Sequence, residues 1–188
     1  MKQILTILLA LCLLTGCSSG REPSSSTDSK PGSTAATTPM GSSHPLSGMR
    51  LTEIMAAIYE KEPLELSLGN IEVDLQDPYA VESYLGLGSS TGIREALASE
   101  SLFGAQAYSL VLVRVSEGAD ATSIARAMAD GIDQRKWVCV YADDLKVSVS
   151  GDVIMLIMLS SEYAKDATAQ SLTDAFRQVA GGLTAQIR

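Results

Sequence analysis

The chain has 188 residues, and its 22 acidic side chains outnumber its 14 basic ones, which gives a formal net charge of −8. The excess lies in residues 49–188, which hold 20 acids and 11 bases and therefore carry a charge of −9. A segment of this sign repels phosphate groups, so nucleic acid is excluded as a partner and an anionic membrane surface is disfavoured.

A short apolar segment opens the chain and runs from Ile4 to Leu14, behind a single lysine, Lys2. A helix that crosses a bilayer needs about 20 apolar residues, so this shorter segment is typical of an export signal. The segment ends in Leu14-Thr15-Gly16-Cys17, which resembles the lipobox of bacterial lipoproteins. It predicts a signal peptide over residues 1–16, cleavage between Gly16 and Cys17, and a lipid anchor on the Cys17 thiol.

The segment that follows this cysteine is poor in apolar residues. Of the 31 residues from Ser18 to Gly48, 22 are serine, threonine, proline or glycine. Such a composition buries too little apolar surface to offset the entropy of ordering, so residues 17–48 are predicted to be the lipidated cysteine and a disordered tether. A single globular domain is then expected over residues 49–188.

Hydrophobic periodicity predicts the elements of this domain. Helices are indicated at 51–61, from the N-cap Asp77, at 93–100, from Asp120 and from near Ser161. Strands are indicated at 71–76, 107–115, 145–150 and 153–159, and a hairpin turn at Gly151-Asp152. The pattern therefore predicts an α+β fold with a mostly helical N-terminal third and a β-α-β-β-α core. The sheet is expected to be small and antiparallel, with helices packed on one face and residues 70–76 at an edge.

Two segments of the domain carry a resemblance to a known family. They are "AYSLVLVRVSEGAD", a strand that ends in an acidic-glycine turn, and "VSVSGDVIMLIML", a strand pair joined through a glycine. Together with the lipobox and the polar tether, they resemble an uncharacterised lipoprotein family found mainly in clostridia-like Gram-positive bacteria, with a C-terminal domain of unknown function. The resemblance implies an extracytoplasmic location and assigns no activity, ligand or catalytic residue.

Candidates for catalysis are few. The single histidine, His44, lies in the predicted tether, so the domain is expected to lack a Ser-His-Asp triad, a Cys-His pair and histidine zinc ligands. The stretch 88–92, "GSSTG", fits a nucleophile elbow, but without a histidine partner we interpret it as a loop that caps the helix at 93–100. Cys139, in the apolar run "WVCVY", is expected to be a buried, inert thiol. We expect the domain to fold without metal, cofactor or disulfide.

Acidic residues are concentrated between Glu60 and Glu82, where seven acids accompany one base. Glu72 and Asp74 are predicted to project from one face of the strand at 71–76, and Asp77 follows that strand. Carboxylates placed together in this way attract a basic protein partner or a hard cation. Glu72, Asp74 and Asp77 are therefore a candidate binding edge, and the alternative is an ordinary solvated surface.

Three hypotheses about function follow from these features. The first is a membrane-anchored extracytoplasmic lipoprotein that acts as a non-catalytic interaction or scaffold module of the cell envelope. The second is a binder of a small solute or cation at the cell surface, and the third is an enzyme. The scarcity of catalytic residue types favours the first hypothesis.

The lipobox leads to a prediction about membrane association. Two acyl chains on one cysteine give a durable anchor, whereas a single chain gives only marginal binding. Replacing Cys17 by serine removes the thiol that is acylated, so we expect Cys17→Ser to lose fatty-acid labelling and to leave the membrane fraction. Cys12→Ser, inside the apolar segment, is the matched control and should retain both properties. Equal labelling of Cys17→Ser and the parent chain would contradict the lipobox interpretation.

Overall fold

The structure is a computed structural model that describes residues 44–162 and 167–188. All of these residues belong to one compact unit, Gly41–Arg188. The predicted signal peptide, the cleavage site at Gly16, the lipidation site Cys17 and most of the tether lie outside the described residues.

The described residues contain four helices and six strands. The helices are α1 (Leu51–Lys61), α2 (Pro78–Ala80), α3 (Ala121–Gly131) and α4 (Ala169–Ala180), and a π-helical turn, Val81–Leu85, continues α2. The strands are β1 (Leu68–Glu72), β2 (Ile93–Ser101), β3 (Tyr108–Val115), β4 (Asp144–Ser150), β5 (Val153–Leu159) and β6 (Ala185–Gln186). None of these helices combines the length and the apolar character needed to cross a bilayer.

The strands form one antiparallel sheet in the order β1-β2-β3-β5-β4-β6. The predicted α+β class is confirmed, as are the β3-α3-β4-β5-α4 order, the hairpin between β4 and β5, and the position of β1 at an edge. Every residue of β3 and of β5 is buried, which agrees with the largely apolar sequence of β3 and the wholly apolar sequence of β5. These two neighbouring strands are the centre of the fold.

The prediction that helices pack on one face of the sheet is wrong, because both faces are covered. On one face, α1 and α4 pack on a cluster that includes Leu110, Leu112, Met155 and Phe176. On the other face, α3 and the π-helical turn pack on a second cluster around Val111. A strand such as β5 presents apolar side chains to both faces, so one helical layer would leave half of them in water.

The prediction of a mostly helical N-terminal third is wrong at 93–100, which is most of the strand β2. The sequence "IREALASE" is rich in alanine, leucine and glutamate, which favour helix when the segment is considered alone. In the structure this segment pairs with β1 on one side and with β3 on the other. Pairing on both sides supplies hydrogen bonds and burial that outweigh a preference worth only a few tenths of a kcal/mol per residue.

Three predicted boundaries also differ from the structure. The edge strand predicted at 70–76 runs over Leu68–Glu72 as β1. The predicted tether extends to residue 48, but Leu46 is fully buried in the cluster beneath α1 and α4, so the folded domain includes it. The last helix begins at Ala169 and not near Ser161. Thr168 is its N-cap and exchanges hydrogen bonds with Ser171, a reciprocal capping pattern that fixes the first turn there.

One buried arginine joins three parts of the domain. Arg114 of β3 is only 2% exposed, and its Nε donates to Glu95 Oε1 at 2.9 Å while its Nη1 donates to Asp152 Oδ2 at 2.9 Å. Its Nη2 donates to the carbonyl of Met49, just before α1. The guanidinium therefore links β2, the β4–β5 turn and the entry to α1, and all five of its donor hydrogens need acceptors when it is buried.

We expect Arg114→Met to lower the free energy of unfolding by about 1.5–3 kcal/mol, because it removes several charge-assisted hydrogen bonds. The loss should stay below the roughly 3–5 kcal/mol of a fully buried pair, since Glu95 and Asp152 are half-exposed and regain water. Denaturant unfolding of Arg114→Met and of the parent chain measures this loss in the free energy of unfolding. Arg94→Met is the control, because Arg94 is exposed and should change stability by less than about 0.5 kcal/mol. Equal losses in the two variants would contradict this account.

Candidate functional site

The two ends of the sheet differ in what they present to solvent. At one end, which we call the hairpin pole, lie the β4–β5 turn at Gly151 and the start of the described chain at His44. At the other end, which we call the loop pole, lie the loops 102–107, 132–143 and 160–162. The seven residues of β5 separate the poles by about 23 Å.

Exposed large apolar side chains are concentrated at the loop pole. The described part of the chain has six exposed large apolar residues. Four of them lie in the loops of this pole: Leu102, Phe103, Val138 and Tyr141. Val138 is 98% exposed, and Cys139 beside it is also exposed. The prediction that the thiol of Cys139 is buried is therefore wrong, because this part of "WVCVY" lies at the exposed tip of a loop.

The loop 132–143 has a defined base in spite of its exposed tip. The side chain of Gln134 donates to the carbonyl of Ala142 at 2.8 Å, and the amide of Ala142 donates to the carbonyl of Gln134 at 2.9 Å. Asp143 accepts hydrogen bonds from the hydroxyl and the amide of Ser161, and these bonds lower the pKa of Asp143. The base of the loop is thereby tied to the segment that follows β5, and the apolar tip is held out from it.

A hollow beside this loop contains aromatic and charged side chains. It has a volume of about 400 Å³. We call it the aromatic cleft, and its lining comprises Tyr79, Glu82, Ser83, Tyr84, Glu100, Gly131, Asp133, Lys136 and Trp137.

Lys136 is the central residue of the aromatic cleft. Its Nζ forms an ion pair with Glu100 and lies 3.4 Å from both the Ser109 hydroxyl and the Ser83 carbonyl. The ammonium lies 4.8 Å from the ring centroid of Tyr84 and 5.3 Å from that of Trp137, which are cation–π distances. Its side chain is only 11% exposed. The site thus holds a positive charge that is neutralised by a carboxylate and flanked by two rings.

The π-helical turn supplies three of the residues that line the aromatic cleft, Glu82, Ser83 and Tyr84. Turns of this type are uncommon and are found frequently at functional sites. Burial, followed by the charge of Glu100, raises the pKa of Tyr84, so its hydroxyl stays protonated at neutral pH.

Two glycines fix the π-helical turn against α3. Gly86 ends the turn in the left-handed conformation, with φ of 68°, and Gly131 ends α3. A Cβ atom on Gly131 would lie 2.1 Å from the carbonyl oxygen of Gly86, and one on Gly86 would lie 2.3 Å from the amide nitrogen of Ile132. The two backbones can meet only because both residues lack a side chain, and Gly131 itself lines the cleft.

The structure does not bring the predicted acidic edge together on one strand face. Glu72 ends β1, whereas Asp74 lies in the following turn and accepts from the amide of Gln76 at 2.9 Å. Asp77 caps α2 by accepting from the amide of Tyr79 at 2.9 Å, as predicted for an N-cap. Asp74 and Asp77 are therefore used in local backbone turns. Glu72 lines a hollow of about 360 Å³ that also contains Arg50 and Arg94, so its surroundings are of mixed charge.

His44 lies against the folded domain and not in a free tether, which corrects the prediction. Its Nδ1 accepts from the amide of Leu46 at 3.4 Å, so the proton of the neutral imidazole is on Nε2, 3.0 Å from Ser150 Oγ. The Ser150 hydroxyl donates to the carbonyl of Gly182 at 2.6 Å. Because the serine proton points away from the imidazole, the pair holds residue 44 at the hairpin pole and is not arranged for nucleophilic catalysis.

The "GSSTG" stretch is a loop, as predicted, but it precedes the strand β2 and caps no helix. Ser90 Oγ donates to the carbonyl of Leu75 at 2.9 Å, and Ser89 pairs with Thr91. Its serines therefore have structural partners.

Within residues 44–162 and 167–188, no group of three or more histidine, cysteine, aspartate or glutamate side chains is arranged to hold a metal ion. Comparisons of the chain with protein-family models, with curated proteins and with solved structures found no significant match. The family resemblance seen in the sequence therefore stays a prediction.

Sequence reasoning missed the aromatic cleft. Lys136 and Glu100 are 36 residues apart, and no local periodicity relates them. Two weak signals were present: the single tryptophan directly follows a lysine, and Tyr79 follows the helix start at Asp77-Pro78. Neither signal indicates that these residues meet.

The glycine contact leads to a stability prediction. We expect Gly131→Ala to lower the free energy of unfolding by about 1–3 kcal/mol, because the new methyl group would clash with the Gly86 carbonyl. The displaced wall of the cleft should also shift the fluorescence of Trp137. Gly88→Ala is the control, since a Cβ atom there has no heavy atom within 4 Å, and it should leave both measurements nearly unchanged. A Gly131→Ala chain with parental stability and emission would contradict this account.

Proposed function

We propose that this chain is a membrane-anchored extracytoplasmic lipoprotein that acts as a non-catalytic interaction module of the cell envelope. It docks a protein partner through the loop pole. The location follows from the lipobox at Leu14-Thr15-Gly16-Cys17 and from the polar composition of the segment after it.

The observation that carries the docking role is the exposed apolar surface of the loop pole. Leu102, Phe103, Val138 and Tyr141 present large apolar side chains to water from two loops at the same end of the sheet. Scattered single apolar residues on a surface need no explanation, but a group of them marks an interaction site. Covering such side chains is worth about 25 cal/mol per Å² of apolar area. The two hydrogen bonds between Gln134 and Ala142, at the base of loop 132–143, hold the tip ready for a partner.

A protein partner fits this surface better than a bilayer does. The chain enters the described domain at His44, which packs at the hairpin pole, about 23 Å from the loop pole. An anchor upstream of His44 would therefore join the domain at the end that lies opposite the apolar loops. The net charge of −9 over residues 49–188 also repels an anionic membrane surface.

The contacts of the candidate catalytic groups support a non-catalytic role. The hydroxyl of Ser150 donates to a backbone carbonyl, and His44 is not placed to accept its proton. Ser90 likewise donates to a backbone carbonyl. These groups stabilise turns and chain entry, which is a structural use.

The acidic edge is the weaker docking candidate. Asp74 and Asp77 already accept hydrogen bonds from their own turns, and Glu72 lies beside Arg50 and Arg94. A basic partner would compete with these contacts, whereas the side chain of Val138 is almost fully exposed.

Docking can be tested by placing a photo-crosslinking amino acid at Val138 of the full-length chain in cells. We expect a discrete protein adduct from position 138 and none from Glu117, an exposed residue at the hairpin pole. A second substitution, Phe103→Ser, should reduce the adduct because it removes an exposed apolar side chain from the same pole. Val138→Ser should alter stability by less than about 0.5 kcal/mol, which separates docking from folding.

A double variant tests the acidic edge as the alternative docking site. Glu72→Gln combined with Asp74→Asn should leave the adduct at position 138 unchanged. Loss of the adduct in this double variant, with no effect of Phe103→Ser, would assign docking to the acidic edge. An adduct that consists of lipid would mean that the loop pole inserts into the membrane, and equal adducts from 138 and 117 would show that the contact is nonspecific.

A further inference from the structure

The aromatic cleft has the features of a small-molecule site and is distinct from the apolar tip proposed for docking. Its volume of about 400 Å³ falls within the range of about 300–1,000 Å³ that is typical of ligand pockets. Its rings belong to Tyr79, Tyr84 and Trp137, and Trp137 is the only tryptophan of the chain. The chemical class of the ligand can be argued from the charges and the rings of the lining.

The charges of the aromatic cleft disfavour an anion, and its cation position is already filled. Glu82, Glu100 and Asp133 line the cleft, so an anionic ligand would meet three carboxylates. A cationic ligand would compete with the ammonium of Lys136, which already occupies the position between the two rings and Glu100. A neutral polar ligand competes with no bound charge, and its hydroxyl groups can donate to the carboxylate oxygens. An uncharged ligand that is rich in hydroxyl groups therefore fits the cleft with Lys136 in place.

The rings of the cleft favour a ligand with a flat apolar face. Tyr79 is 77% exposed, so the solvent reaches its ring freely. A pyranose ring has one face composed of C–H groups, and this face can pack on an aromatic ring and remove apolar area from water. Its hydroxyl groups project sideways, toward polar atoms placed around the ring. Aromatic faces bordered by carboxylates match both parts of such a molecule.

The polar groups of the cleft are held in place before a ligand arrives. The Nζ of Lys136 is directed at Glu100, at the Ser109 hydroxyl and at the Ser83 carbonyl. All three of its N–H donors thus have acceptors in the chain, so Lys136 is a positioning residue. Side chains that are already fixed lose little conformational entropy on binding. The uncommon π-helical turn, fixed by the Gly86–Gly131 contact, holds Glu82 and Tyr84 in the same manner.

We propose that the aromatic cleft binds a saccharide of one or two pyranose rings. The sugar packs on the exposed ring of Tyr79, beside Trp137. Its hydroxyl groups donate to the carboxylates of Glu82, Glu100 and Asp133. The site is distinct from the docking surface at the loop pole, because neither Val138 nor Phe103 lines it.

The fluorescence of Trp137 provides a direct test, since no other tryptophan contributes. The full-length chain in polyoxyethylene detergent, which carries no sugar head group, is titrated with cellobiose, maltose and N,N′-diacetylchitobiose. We expect a saturable change with at least one disaccharide that is insensitive to salt between 0.05 and 0.5 M, because no ion pair forms. Tyr79→Ala should weaken binding by at least about fivefold, because it removes the exposed ring on which the sugar packs.

The controls separate the outcomes. Tyr141→Ala removes an exposed ring outside the cleft and should leave the affinity unchanged, and thermal melts should coincide for Tyr79→Ala and the parent chain. Tetramethylammonium and inorganic phosphate probe the two ionic classes. A saturable response to either ion that weakens with salt, without a response to any disaccharide, would overturn the proposal in favour of an ion site. No response to the disaccharides up to about 50 mM would also overturn it.

Discussion

The central strand pair β3–β5 is buried on both faces, and the arrangement of the other elements follows from this constraint. Each strand presents apolar side chains alternately to the two faces, and every one of these side chains is buried. Other elements must therefore cover both faces of this strand pair. The helices α1 and α4 pack on one face, and α3 packs on the other. Arg114 lies near the end of β3. Its buried guanidinium donates hydrogen bonds to the turn after β4, to the strand β2 and to the start of α1.

The aromatic cleft is a consequence of how the second face is covered. The helix α3 packs over β4 and β5, while β1 and β2 lie on the far side of β3. The short π-helical turn and the start of loop 132–143 cover that remaining part, and they leave a hollow above Glu100 and Ser109. A long helix packs its side chains closely on a sheet, whereas this short turn and loop leave part of the sheet face uncovered. The candidate site thus lies beside the part of the sheet that no long helix covers.

Local sequence patterns were sufficient where one segment decides its own structure. The amphipathic spacing of α1, the N-caps Asp77 and Asp120 and the apolar runs of β3 and β5 each depend on neighbours along the chain. The pattern failed where distant contacts outweigh local preference. Segment 93–100 has the composition of a helix and is a strand, because β1 and β3 lie on either side of it. Segment 137–141 has an apolar composition typical of buried chain, but it is a loop in which Val138, Cys139 and Tyr141 are exposed.

The failure at 137–141 bears on function. An apolar sequence usually becomes buried, so a run that stays exposed gives up hydrophobic free energy in the isolated domain. Marginal stability makes such a loss costly to retain, and a bound state that covers the side chains would restore it. The same reasoning applies to Tyr79, whose ring is largely exposed at the mouth of the cleft.

Loop 132–143 belongs to both proposed sites. Lys136 and Trp137 line the cleft, while Val138 and Tyr141 are exposed at the tip one to four residues further along the same loop. Arg135 lies over the ring of Tyr141 at 4.9 Å from its centroid, so the two halves of the loop are also in contact. A sugar that restricts Trp137 would restrict the tip, and a partner on Val138 would restrict the wall of the cleft. Thermodynamic linkage requires these two effects on affinity to be equal, so any coupling between the sites is reciprocal and is transmitted through this loop.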